Sequence, residues 1–201
     1  MTNKPVFFNN HRVRKKSSNI KNENDHVNLY NYVDSTNILD IGFGDGDSII
    51  NTIRKGDQRI YGIESYTIGV SKVLDFINLR NIDNVHVYHG DVVEIIDIFP
   101  NNFFDHVNMF FPDPWPKRRH HKRRFITKFF LDKLKTKVRE NNEVHIASDH
   151  INYIFDTKYV LSKYLNKKIQ FSNHRLDRPI TKYEKKAISK QNIIFDLIFS
   201  L

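Results

Sequence analysis

From residue 37 onward, short apolar runs alternate with amphipathic stretches. Asn37–Ile41 (NILDI), Arg59–Ile63 (RIYGI), Val85–Tyr88 (VHVY), His106–Phe111 (HVNMFF) and Glu143–Ala147 (EVHIA) are strand-like, being short and often β-branched. Across Lys122–Val138 the residues Ile126, Phe130, Leu134 and Val138 recur every fourth position, which brings one stripe of a helix to a core. A second helix is expected over Asn152–Leu165, with Ile154, Phe155, Leu161 and Leu165 on one side and Ser148 or Asp149 as its cap. Asn192–Leu201 (NIIFDLIFSL) reads as a last strand that closes the sheet after the polar stretch Thr181–Gln191. Strands alternating with helices predict an α/β fold with a mostly parallel central sheet covered on both faces.

Length and composition narrow this picture. A chain of 201 residues suits one domain, taken as 25–201, behind a basic arm over 1–24 that contains His11, Arg12, Arg14, Lys15 and Lys16 and lacks periodicity. The absence of cysteine excludes a disulfide framework and any thiolate metal site. No apolar run is long enough to span a membrane and the N-terminus lacks the apolar core of a signal peptide, so a cytoplasmic protein is expected. The net charge of +9 points to an anionic polymer as partner, although the Asn, Lys and Ile usage also fits the codon bias of an AT-rich genome.

The first strand runs into Asp40-Ile41-Gly42-Phe43-Gly44-Asp45-Gly46, a strand-to-helix turn whose glycines let backbone approach a ligand. Asp47 stands where a dinucleotide fingerprint needs glycine, and Asp40, Asp45 and Asp47 would repel a pyrophosphate. A cationic ligand fits better. Glu64, ending the second strand, is placed to accept hydrogen bonds from a ribose diol, and Asp91, after the third, to meet an adenine amino group. S-adenosylmethionine carries a sulfonium, an ammonium, a ribose and an adenine to match these acids. A nucleotide site and a plain tight turn are the competing readings.

After the fourth strand, Pro112, Pro114 and Pro116 forbid helix and central strand, and so hold Asp113 and Trp115 in a fixed turn. Trp115, Arg118, Arg119, Lys122, Arg123 and Arg124 supply the charges and flat groups that phosphates and exposed bases require. At the start of the helix expected from Lys122, this charge opposes the macrodipole unless an anion is bound. His120 and His121 have no third ligand in reach, so no metal is expected.

The segment Phe111–Arg124 resembles, almost residue for residue, the signature of the tRNA (guanine-N7)-methyltransferase family. The glycine turn, Gly62-Ile63-Glu64, Ala147-Ser148-Asp149 and Thr181-Lys182-Tyr183-Glu184 extend the similarity over most of the chain. The resemblance implies a Rossmann-like class I methyltransferase with a C-terminal antiparallel strand, acting alone or as a homodimer. Its implied reaction is methylation of guanine 46 at N7 in tRNA by S-adenosylmethionine. It assigns the cofactor to Asp40, Gly42, Gly44, Glu64, Asp91 and Asp113, with Asp113 also at the guanine. Lys117, Asp149, Thr181, Lys182, Tyr183 and Glu184 are assigned to the substrate. The alternatives are a methyltransferase for another RNA base and a catalytically silent RNA-binding module on the same fold.

Overall fold

A computed structural model describes Leu29 and residues 35–53, 58–165 and 168–201. The basic arm expected over 1–24, and the domain boundary after it, lie outside the described residues. Seven strands form one sheet in the order β3-β2-β1-β4-β5-β7-β6. They are β1 (Asn37–Ile41), β2 (Arg59–Glu64), β3 (Val85–His89), β4 (Phe104–Phe110), β5 (Val138–Ser148), β6 (Gln170–Ser172) and β7 (Phe195–Ser200). The first five pair in parallel, and β7 runs antiparallel to β5 and β6. The expected last strand is therefore present, but it lies inside the sheet, and short β6 takes the edge.

Six helices cover the faces: α1 (Asp47–Ile53), α2 (Thr67–Leu79), α3 (Val92–Ile95), α4 (Lys128–Lys137), α5 (Ile151–Tyr164) and α6 (Lys182–Ser189). Alternation along the strands divides the core between them. Ile60, Val85 and Val87 pack with Val70, Val73 and Ile77 of α2, while Tyr61, Ile63 and Tyr88 face a larger cluster that includes Phe99, Phe103 and Phe104. β1 is buried at all five positions, as a central parallel strand must be.

Two helix starts differ from expectation. α4 begins six residues later than Lys122, because Thr127 caps it: its Oγ1 accepts the Phe130 N–H at 3.2 Å. Ile126 and Val138 are buried as the periodicity requires, yet one precedes the helix and the other opens β5. α5 is capped by His150, whose Nδ1 accepts from the Tyr153 N–H at 3.4 Å, while Ser148 Oγ accepts the His150 N–H. Of the residues placed on its inner side, Ile154 and Leu161 are buried but Phe155 is 53% exposed. The stretch read as merely polar contains α6. Its signal was Thr181-x-x-Glu184, half of a capping box, with Thr181 Oγ1 accepting the Glu184 N–H at 3.2 Å.

Candidate active site

Strand order reverses between β1 and β4, and their carboxyl ends open the crevice where α/β sheets bind ligands. On one side lies the turn after β1. Gly42, Gly44 and Gly46 all adopt left-handed backbone (φ +70°, +59° and +90°). Above Gly42 nothing lies within 4 Å of where a Cβ would stand, so the turn has an open face. Glu64 braces it from below. Its Oε2 accepts the Gly44 N–H at 2.7 Å, and its Oε1 accepts the Tyr66 N–H at 2.8 Å and the Ser65 hydroxyl at 3.4 Å, which leaves Oε2 a further acceptor site.

Asp40 is buried beneath the turn, and desolvation pushes its carboxyl up to about 7, with the Glu64 charge adding to the rise and a hydrogen bond from Ser48 opposing it. Asp91 caps α3 by accepting the Val93 N–H at 2.8 Å; partial burial raises its pKa. The parallel register sets Ile41 beside Ile63 and Glu64 beside His89, so Asp40, Glu64 and Asp91 share one edge of the sheet.

The other wall is the loop after β4. Phe111 and Trp115 bracket Pro112-Asp113-Pro114 with φ of +54° and +46°, backbone that a non-glycine residue adopts only when held there. Asp113 is exposed at the loop tip, and the protein around its carboxyl raises its pKa. Lys117 and Arg118–Arg123 follow, the latter as a 3-10 turn without buried residues. The basic run thus precedes the start of α4, and the expected conflict with that helix's macrodipole does not arise.

Arg124 is a correction. Read as RNA surface, it is only 5% exposed. It donates to the Pro114 carbonyl at 3.0 Å and the Trp115 carbonyl at 3.5 Å, and pairs with Asp156. It therefore buttresses the proline loop from behind. Arg123 instead lies over the Trp115 ring at 4.7 Å, and Lys117, Arg118, Arg119 and Lys122 point into solvent. The His120 ring is disfavoured in its charged form by desolvation and by the cations of Arg123, Arg119, Lys117 and Lys122. Among the described residues no cluster suited to a metal is present.

α6 closes the crevice. The Lys182 N–H donates to Asp47 Oδ2 at 2.7 Å, and the Lys182 ammonium pairs with Asp45, which Lys72 also approaches at 3.5 Å. Burial alone would raise the Asp45 pKa, but these two cations outweigh it and hold it low. The Tyr183 ring lies over Gly44, with Cε2 3.1 Å from the position of a Cβ. Desolvation raises its phenol pKa, Lys182 opposes the rise, and the charges of Asp45, Glu64 and Asp113 reinforce it. One ring therefore senses acids from both walls.

Glu184, expected at the substrate, is another correction: its side chain is fully buried. Arg175 donates to Oε1 at 2.9 Å and Arg178 to Oε2 at 2.6 Å, while Arg178 also binds Asp196 at 2.6 Å. His145 Nε2 lies 2.6 Å from the same Asp196 oxygen. Arg178 stacks over Phe110 and Phe111 at 5.3 and 5.5 Å, so this buried network ties the base of α6 to the root of the proline loop. Sequence reasoning passed over Arg175 and Arg178, charged residues in an unassigned polar segment, and Asp196, a lone acid inside the last apolar strand, because none of them carries a periodic signal. Thr181 is buried as the cap of α6, and Asp149 accepts a hydrogen bond from Asn192 at 2.8 Å.

A mostly parallel sheet with an antiparallel β7 and an acid-lined crevice at the β1/β4 reversal defines a Rossmann-like methyltransferase. A family model described as a putative methyltransferase matches residues 34–197. Among solved structures, a SAM dependent methyltransferase from Archaeoglobus fulgidus aligns over 85% of this chain and 88% of that one (TM-score 0.53, 15% identity). An antibiotic related methyltransferase aligns over 86% and 92% (TM-score 0.63, 15% identity). At those identities the likeness concerns the fold alone. The tRNA (guanine-N(7)-)-methyltransferase of Nitrosococcus oceani is 37% identical over 165 residues, 81% of this chain and 70% of that protein. The like-named protein of Buchnera aphidicola subsp. Schizaphis graminum is 38% identical over 171 residues, covering 82% and 72%. This chain belongs to the tRNA (guanine-N7)-methyltransferase family.

Proposed function

We propose that this protein methylates N7 of guanine 46 in the variable loop of tRNA, in the cytoplasm, with S-adenosylmethionine as methyl donor. The observation that carries this reading is the glycine turn, open above Gly42, braced by Glu64 and covered at Gly44 by Tyr183 of α6, in a chain of this family.

The residues fit the cofactor. The open face above Gly42 admits a ligand to the backbone, Asp40 underlies the turn, and Glu64 and Asp91 provide the negative charge and acceptors that a cationic nucleoside needs. Bound S-adenosylmethionine supplies an electrophilic methyl group on a positive sulfur. Guanine N7 has a lone pair and no proton, so the protein has no base to provide; it has to align the reactants and meet the charge. Asp113, fixed on a rigid loop beside the crevice, accepts from the guanine edge and stabilises the cation that methylation creates. Thr181, Lys182, Tyr183 and Asp149 hold the substrate side, and Glu184 keeps α6 in place from within. Lys117, Arg118, Arg119, Lys122 and Arg123 take RNA phosphates, while Trp115, paired with Arg123, presents a stacking face.

Incubation with methyl-labelled S-adenosylmethionine and bulk tRNA, followed by mapping of the label, tests this. Label at N7 of guanine 46 is expected, and Asp113→Asn should lower its rate by about a hundredfold while cofactor affinity holds. Label on another base, or none, overturns the reading.

A further inference from the structure

Behind the proline loop lies a groove of about 790 Å³ that the site above does not use. Ile126 and Thr157 form its buried floor, and Tyr159, Val160 and Tyr164 of α5 form its wall. His121, from the basic 3-10 turn, is also part of its lining, so the groove continues the surface that carries Lys117–Arg123. Tyr159 is 64% exposed and lies on the same stripe of α5 as Ile151 and Phe155, each about half exposed. A helix that presents an apolar stripe with two aromatic rings to solvent marks a contact surface.

The charges around it select the partner. Asp156 is neutralised by Arg124 and faces His121 at 3.5 Å; Asp132 is held by Lys128 and by the Tyr164 hydroxyl at 2.8 Å. Both carboxylates are thereby taken. Lys163, which lines the groove, and Lys158, on the helix face outside it, remain without an acidic partner among the described residues, and each lies over an aromatic ring: Lys158 over Phe171 at 4.9 Å, Lys163 over Tyr159 at 5.7 Å. Unpaired lysines interleaved with exposed aromatic rings are what a single-stranded nucleic acid requires, with phosphates on the cations and bases on the rings. A protein partner would leave those two ammonium groups to be matched or desolvated.

We infer that this groove and the exposed face of α5 beside it form a second RNA-contact site, where an unpaired stretch of the tRNA stacks a base on Tyr159 while Lys163 at the groove and Lys158 on the adjoining helix face hold its phosphates. The inference rests on the tRNA reading above and adds to it a grip separate from the reacting guanine.

Fluorescence anisotropy with bulk tRNA at several salt concentrations tests it, with S-adenosylmethionine affinity and thermal melting as controls for the fold. Tyr159→Ala should weaken tRNA binding by about tenfold with the salt slope unchanged, since stacking releases no counterions. Lys158→Glu combined with Lys163→Glu should weaken binding and flatten the slope by about one to two units. Cofactor affinity should stay the same in both. If wild-type protein binds and methylates tRNA and the variants bind it equally well, the inference falls while the function stands. A self-associated form lost in Tyr159→Ala, with tRNA binding unaffected, assigns the groove to a protein contact and also overturns it. Wild-type protein that neither binds nor methylates tRNA overturns both readings.

Discussion

The two loops that wall the crevice meet the same steric demand by opposite means. Each leaves a central strand through left-handed backbone. The turn after β1 uses Gly42, Gly44 and Gly46, residues with no Cβ to strain, and its supports are local: the Gly42 N–H on the Ile63 carbonyl at 2.8 Å, the Gly46 N–H on the Phe43 carbonyl at 3.0 Å and the Gly44 N–H on Glu64. The loop after β4 puts Phe111 and Trp115 into that backbone, so its shape is imposed from outside. The Phe111 N–H reaches the Ala147 carbonyl at 2.7 Å, Arg124 grips the Pro114 and Trp115 carbonyls, and Arg178 stacks on Phe111. A glycine turn that accepts a ligand and a braced one that presents Asp113 thus differ in where their conformational energy resides.

Removing the outside support should break the second loop and spare the first. Arg124→Met takes one partner from a buried ion pair and leaves two loop carbonyls, those of Pro114 and Trp115, without the donor that holds them. Because Asp156 is half exposed and can rehydrate, the cost should be about 3 kcal/mol, toward the low end for a broken buried pair. Urea denaturation should show that loss, and methyl transfer should fall with S-adenosylmethionine affinity nearly intact. Arg119→Ala, on the exposed side of the same run, should leave stability within about 0.5 kcal/mol. Equal stability of the two variants would return Arg124 to the RNA surface.

The first loop carries its strain as a buried charge at its root. Asp40 has its carboxyl raised to about 7 by burial, so the folded protein takes up a proton that the unfolded chain releases near 3.8. Stability from this group is complete below pH 3.8 and is lost as pH rises toward 7, about 2 kcal/mol of it between pH 5 and pH 7. Asp40→Asn removes the titration. In urea melts at those two pH values, wild type should lose about that much more stability than the variant; parallel behaviour would mean Asp40 is already charged in the folded protein.

The same contrast explains how much of the molecule was legible beforehand. The five parallel strands, the glycine turn and the acids at strand ends were read correctly as local patterns, because period and residue type announce them. Arg124 stands in a basic run and Glu184 in a motif that the family resemblance assigns to the substrate, so both are expected on the ligand side, and only tertiary contacts turn them inward. Arg124 is claimed by Asp156, and Glu184 by Arg175 and Arg178. The start of α4 was misplaced for a related reason. Ile126 is buried like a helix residue, although Thr127 one position later is the cap.

The smallest effect tests whether α6 bears on the glycine turn. Gly42→Ala and Gly44→Ala impose similar backbone strain, at φ +70° and +59°, of about 1 to 2 kcal/mol each. They differ in surroundings, since a Cβ at 42 meets open space and one at 44 comes within 3.1 Å of Tyr183. Tyr183 is 44% exposed and free to shift by the few tenths of an ångström required, so Gly44→Ala should cost only about 0.5 kcal/mol more than Gly42→Ala. Adding Tyr183→Ala to each removes the contact and should bring the two to the same additional cost in urea melts. A difference that survives Tyr183→Ala would place the strain in the turn itself and separate α6 from the cofactor loop.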